Sequence, residues 1–322
     1  MSLYPLKFDP ILKERLWGGT KLKQVLGKEI TSDITGESWE LSGVAGDVSI
    51  VANGKLKGCS LQELITKYPE EVLGKSVLER FGSEFPVLIK FIDAKQDLSI
   101  QLHPNDKLAK KRHNSFGKTE MWYVMDADKD AELIVGFNKT VTKDEYAKSI
   151  EENSLLALLN YEKVQEGDTF FINTGKIHAI GSGVLLAEIQ QTSDVTYRVF
   201  DFNRKDKDGN YRELHTELAL DAIDYEKKDD FKVSYNQNKD EVNSMVACPY
   251  FTTNYLDLTQ PMELNVADRN SFTIYICVAG NASIANDFGQ IDLQKGQTIL
   301  IPAVSKTIHI NTTKAKLLEV TI

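Results

Sequence analysis

Two of the chain's five histidines sit among residues that suit a ligand better than a surface. In SIQLHPND, residues 99–106, Ser99, Gln101 and His103 alternate along a predicted strand, so their side chains leave one face. That spelling is too polar for a core face and needlessly specific for a solvated one. A divalent cation accounts for it, because an amide oxygen and an imidazole nitrogen two residues apart can close on one point. Glu120 in GKTEMWYV, at the start of another strand, and His178 in NTGKIHAI, after a tight turn, add a carboxylate and a second imidazole. Gln101, His103, Glu120 and His178 are therefore the expected metal ligands; the donor set suits Zn2+, one per chain, though Fe(II), Mn(II) and Ni(II) accept it too. His113, in a helix end rich in Lys and Arg, reads as solvated, and His215 and His309 read as structural.

Further polar residues stand where apolar ones would be ordinary. Lys90 interrupts the apolar strand FPVLIKFIDA, and a buried lysine is costly unless a polar cavity and an anionic visitor accompany it. Lys118 lies two residues before Glu120, on the same side of its strand. Glu188 and Gln190 share a face of GVLLAEIQQT; Glu188 either carries a proton or orients a ligand. In YRVFDFNR, Arg198 and Arg204 are an even number apart, so both face the cavity if the segment stays extended, and guanidinium suits bidentate contact with phosphate. Asp194 reads as a brace for Arg198 or as a loop cap, and Trp17 in RLWGG as a wall of the site or as core. Arg198, Glu188 and Lys118, expected as catalytic, and Lys90, Arg204, Trp17, Asp194 and Ser99, expected to bind substrate, take those roles from a resemblance to a known family.

The elements that must position these residues are mainly β. Short strands separated by turn residues run through FPVLIKFIDA, EMWYVMDA, AELIVGF, DTFFINTG, GVLLAEIQQT and VTYRVFDFN, the pattern of a sandwich or barrel. Helical stretches are predicted at SLQELITKYPEEVLG, NDKLAKKRHN, TKDEYAKSIEENSLLALLN and ELHTELALDAIDY, the third with an apolar stripe of Leu155, Leu156, Leu158 and Leu159. The first eighty or so residues form an irregular layer. A polar run, YEKKDDFKVSYNQNKDEVN, marks a boundary near residue 235, beyond which the chain is β-rich to its end. GDTFFINTGKIHAI echoes GQTILIPAVSKTIHI, which suggests two related halves, residues 1–235 and 236–322.

Composition narrows the partners. With 322 residues and 42% hydrophobic content the chain can build a large core. A net charge of -9 without a long basic run argues against nucleic acid and anionic membranes, so an anionic substrate needs a local basic pocket. The opening MSLYPLKFDP lacks the apolar run of a signal peptide, and no stretch reaches the length of a membrane span; the expected location is cytoplasmic. Cys59, Cys248 and Cys277 are scattered and read as small apolar fillers.

The ligand spacing resembles the two motifs of the cupin superfamily, the second running from Gly167 through Asn173 and Gly175 to His178. More closely, RLWGG, WELS, FPVLIKFIDA, LSIQLHPND, GKTEMWYV and GKIHAIGSGVLLAEIQQTSDVTYRVFDFNR resemble the type I mannose-6-phosphate isomerases (phosphomannose isomerases), over nearly the whole chain. The combination of QLHP, GKTE, IHA and SDVTYR is specific, whereas each alone is weak. The resemblance implies two cupin-like double-stranded β-helix (jelly-roll) domains with helical insertions. It implies Zn2+ on the four ligands named above, reversible conversion of mannose 6-phosphate and fructose 6-phosphate, an essential role for Arg198, a basic residue at position 204, and a monomer. Length and the missing large helical insertion domain point to the compact bacterial subgroup. One departure is Ile180, where many relatives carry Tyr after IHA, so no phenol assists from that position. His309, without an accompanying HxH or downstream Glu, suggests a metal-free second domain. A cupin oxygenase and a non-catalytic sugar sensor are the competing classes; Lys118 and Arg198 count against the first, and the complete ligand set against the second.

Overall fold

The computed structural model describes residues 3–206 and 208–322. Two antiparallel sheets face each other in the first jelly roll. One has six strands and contains, as neighbours, Thr35–Leu41, Val87–Ala94, Val184–Gln191 and Glu120–Ala127. The other has five, with Tyr197–Phe200, Ile100–Leu102, His178–Ile180 and Glu132–Phe137 side by side.

The long strands of the six-stranded sheet are buried on both faces, which explains their nearly continuous apolar spelling. Val87, Ile89 and Phe91 turn outward into one core with Met121, Tyr123, Leu185, Ala187 and Ile189, while Ile92, Ala94, Trp122, Val124, Val184 and Leu186 fill the barrel. Period-two alternation thereby sends Lys90, Glu120 and Glu188 to the inner face.

A second jelly roll closes the chain in an eight-stranded sheet, with Thr273–Asn286 between Thr298–Ile301 and Thr307–Thr321. Its interior is mostly apolar, built from side chains such as Tyr275, Cys277, Ile284, Leu293, Ile301 and Leu317, with Glu319 buried beside Tyr275. The outward face of the six-stranded sheet and one face of this sheet share a continuous core that joins Ile89, Phe91 and Tyr123 to Phe272, Ile274 and Leu318. The residues before 236 are not confined to the first barrel, because Leu6–Lys7 pairs with Ile299 and Leu300 of the second.

Local signals account for the helices. Ser60 and Glu63 make a reciprocal capping box on Leu61–Lys67, and Thr142 with Glu145 does the same for Lys143–Glu151. Asn105 caps Asp106–His113. The stretch expected as one helix from residue 142 to 160 is instead three elements. Its helix ends at Glu151, Asn153 takes a left-handed φ of 54°, Leu155–Leu158 is a 3-10 turn, and Leu159 opens a strand. The leucine run is therefore divided: Leu155 and Leu159 are buried and Leu156 is exposed. Within the irregular first layer, GDVSIVANG makes only isolated bridges, through Ile50 and Val51. No helix among the described residues is long and apolar enough to cross a membrane.

Candidate active site

Strand register assembles the site from two facing rows. On the six-stranded sheet, Trp39, Lys90, Glu188 and Trp122 are successive cross-strand partners. On the opposite sheet the row is Arg198, Gln101 and His178. Gln190 pairs with Glu120 two residues further along, which brings the Glu120 carboxylate beside the end of the first row.

Glu120 lies between the two imidazoles. Its Oε2 is 3.6 Å from His103 Nε2 and its Oε1 is 3.5 Å from His178 Nε2. The imidazole rings are 4.9 Å apart. Backbone carbonyls fix both rings: His103 Nδ1 donates to Val195 O at 2.9 Å and His178 Nδ1 to Lys176 O at 2.8 Å. That tautomer leaves each Nε2 lone pair aimed at the common centre. Burial lowers His178 to about 3, and burial with the neighbouring Lys118 lowers His103 well below its ordinary value, so both rings are neutral near pH 7.

These residues fit a divalent metal. One ligand atom from each of His103, Glu120 and His178 lies within 4.8 Å of the others. His178 Nε2 and Glu120 Oε1 are buried acceptors with no hydrogen-bond partner among the described residues. Burial, then Glu188, push the Glu120 carboxyl up against the pull of Lys118. A cation between the imidazoles satisfies the orphaned acceptors and removes that penalty.

Lys118 and Glu188 stand beside this centre, both nearly inaccessible. Lys118 Nζ contacts Glu120 Oε2 directly, and lies 3.2 Å from His103 Nε2 and 3.8 Å from Glu188 Oε1. Although burial works against the ammonium, Glu120 and Glu188 raise it above its ordinary value. Lys90 Nζ is 3.2 Å from Glu188 Oε1, and Trp122 Nε1 donates to Oε2 at 3.2 Å. Burial pushes the Glu188 carboxyl up, but Lys118 and Lys90 outweigh it and hold it well below the usual carboxylate range.

A cavity of about 300 Å³ opens onto these groups. Of the expected residues, Trp17, Lys90, Ser99, Gln101, Lys118, His178, Glu188, Asp194 and Arg198 line it, while His103 and Glu120 lie outside the lining. Arg198 donates from Nε to Ser99 Oγ at 3.2 Å, and Ser99 donates to Gln101 Oε1 at 3.4 Å. Ser99 thus braces Arg198; no ion pair joins Asp194 to Arg198 among the described residues.

Arg204 is a correction. The parity argument needed an extended chain, yet the strand stops at Phe200, and Phe202 and Asn203 have φ of 54° and 53°. The turn directs Arg204 to Asp201 and the Asp97 carbonyl, away from the cavity lining. Polar lining residues that were missed include Arg15, Glu37, Trp39, Thr196 and Arg212. Glu37 Oε2 accepts from Arg15 Nη2 at 2.9 Å and from Trp39 Nε1 at 2.8 Å. Alternation in ERLWGG and GESWELS was the available signal for Arg15, Glu37 and Trp39; Arg212 lies in a loop with no periodicity to expose it.

Comparison with known proteins bears on this geometry. Residues 6–147 match the phosphomannose isomerase type I catalytic domain and residues 241–322 the mannose-6-phosphate isomerase cupin domain. The chain is 37% identical over 305 residues to mannose-6-phosphate isomerase ManA of Bacillus subtilis, covering 94% of each protein. It belongs to the type I mannose-6-phosphate isomerase family. The mannose-6-phosphate isomerase of Streptococcus mutans is 34% identical, again over 94% of both chains. A crystal structure of the Bacillus subtilis mannose 6-phosphate isomerase superposes with a TM-score of 0.90 at 33% identity, covering 99% of this chain and 100% of that one. Phosphomannose isomerase from Salmonella typhimurium, 18% identical with a TM-score of 0.82 over 98% of each chain, shares the fold. Within this isomerase family, a metal held by His103, Glu120 and His178 is the cofactor the site accommodates.

Proposed function

We propose that this protein interconverts mannose 6-phosphate and fructose 6-phosphate through a cis-enediol, with one Zn2+ held by Gln101, His103, Glu120 and His178. The observation that carries this reading is the pair of buried acceptors, His178 Nε2 and Glu120 Oε1, left without partners beside a cationic cavity. Bound there, the metal supplies a positive field for the oxygens on C1 and C2 as negative charge develops. Glu188, kept ionised by Lys118 and Lys90, takes the proton from C2 of the aldose and returns it to C1, while the O2 hydroxyl proton passes to O1. The Lys118 ammonium stabilises the enediolate oxygen as it forms. Trp17 walls the sugar, and Arg198, steadied by Ser99, holds the phosphate far enough along the cavity to present C1 and C2 to Glu188.

This reading takes the working unit to be a monomer. The same reading makes a small sugar phosphate the partner and the cytoplasm the location. A coupled assay with purified protein tests it. Mannose 6-phosphate turnover is expected to vanish after dialysis against a strong chelator and to return with stoichiometric Zn2+. Turnover that persists in protein shown by elemental analysis to be metal-free would overturn it.

A further inference from the structure

The cavity presents a second guanidinium. Beyond the turn that diverts Arg204, the N–H groups of Asp208 and Asn210 donate to Asp206 Oδ1 at 2.9 and 2.8 Å, and Lys205 bridges to Tyr211. The chain doubles back and sets Arg212 beside Arg204, with the buried carboxylate of Asp201 between them. Arg212 grips Asp201 as a fork, Nε to Oδ2 at 2.7 Å and Nη2 to Oδ1. Arg204 spends all three of its nitrogens on protein: Nη2 on Asp201 Oδ1 at 2.6 Å, Nε on the Asp201 carbonyl at 3.3 Å, and Nη1 on the Asp97 carbonyl.

Arg212 does not. Its Nη1 has no hydrogen-bond partner among the described residues, and the side chain lines the cavity. Arg198 is in the same condition: Nε and Nη1 are engaged by Ser99 Oγ and the Glu213 carbonyl, leaving Nη2 without a partner among the described residues. After burial, the charge of Arg212 is the strongest influence lowering Arg198, so the two cations feel each other. Two carboxylates, Asp201 and Glu213, act among three arginines, and Arg198 and Arg212 line the cavity. Two guanidiniums braced on protein at one edge and open at the other match a phosphate dianion.

We propose that Arg212, oriented by Asp201, forms with Arg198 a two-guanidinium clamp for the phosphate monoester, and that Arg204 is its brace. The inference deepens the isomerase reading and rests on it for the identity of the sugar. Asp201 is a positioning residue.

Steady-state kinetics with mannose 6-phosphate, and competition by inorganic phosphate, test the clamp in Arg212→Gln, Arg212→Lys and Asp201→Asn. Arg212→Gln is expected to raise KM and the phosphate inhibition constant in parallel by about 10- to 100-fold, with kcat changed by less than about threefold. Arg212→Lys keeps the charge without the fork and recovers part of both; Asp201→Asn raises both by less than Arg212→Gln. If Arg212→Gln misfolds, as thermal melting reports, Arg212→Lys decides the matter on the same two constants. An unchanged phosphate inhibition constant in a folded Arg212 variant overturns the clamp while leaving the isomerase intact. Should the metal-loaded wild type prove inactive, the isomerase reading fails, and calorimetric titration of inorganic phosphate into wild type and Arg212→Gln decides the clamp by itself: tenfold weaker binding in the variant supports it, equal binding overturns it.

Discussion

Both jelly rolls bury a carboxylate almost completely, and they treat it in opposite ways. Glu319 in the second barrel is fully satisfied: Oε1 accepts from Tyr275 and from Arg269, each at 2.8 Å, and Oε2 accepts from Asn254 at 3.0 Å. Glu120 in the first barrel contacts Lys118 through Oε2, and its Oε1 has no hydrogen-bond partner among the described residues. The histidines of the two echoing segments diverge in the same sense. His178 is buried and aimed inward, whereas His309 sits between the buried Ile308 and Ile310 on the outer face, 47% exposed and 3.2 Å from Glu263. Burial of an acid is thus no mark of chemistry in this fold. An acid buried beside an imidazole nitrogen that has no partner among the described residues is, because a bound cation offsets the cost of burying both.

The contrast breaks most visibly at Glu120. Glu120→Gln is expected to lower kcat/KM by about 10²–10³-fold or more, as for loss of a group that stabilises transition-state charge, and to reduce bound metal measured by elemental analysis. Retained activity and metal would erase the distinction between the two carboxylates. Glu319→Gln is expected to act on stability alone. Removing the charge that Arg269 and Tyr275 satisfy lowers unfolding stability by about 1–3 kcal/mol in denaturant titration, with kcat/KM within about twofold. The smallest effect belongs to His309→Ala, an exposed site where stability is expected to change by less than about 0.5 kcal/mol and activity and metal content not at all. Metal lost from that variant would mean that the second barrel also binds.

The parts of the site governed by strand alternation were legible. Lys90 and Glu188 are odd residues in apolar strands, and each is buried on the inner face because its neighbours at i±1 serve the opposite core. Gln101 and His178 meet because their strands pair. Legibility ended where alternation did. Two residues with left-handed φ, Phe202 and Asn203, cancelled the parity that linked Arg198 to Arg204; asparagine visits that region readily, but nothing in the sequence marks Phe202 for it. Arg212 was invisible for a related reason: its position depends on a turn closed by Asp206, not on a period. The leucines after residue 154 have helical spacing, yet the left-handed Asn153 ends the helix before they can use it.

The pairing of Leu6 with Leu300 and of Lys7 with Ile299 has a consequence for biogenesis. A ribosome makes the Leu6–Lys7 half of that ladder long before the other, so it waits unpaired while the intervening chain is synthesised. Closing so large a loop carries an entropic penalty and delays the final docking step. Trimming the first few residues would accordingly injure the barrel farthest from them along the chain.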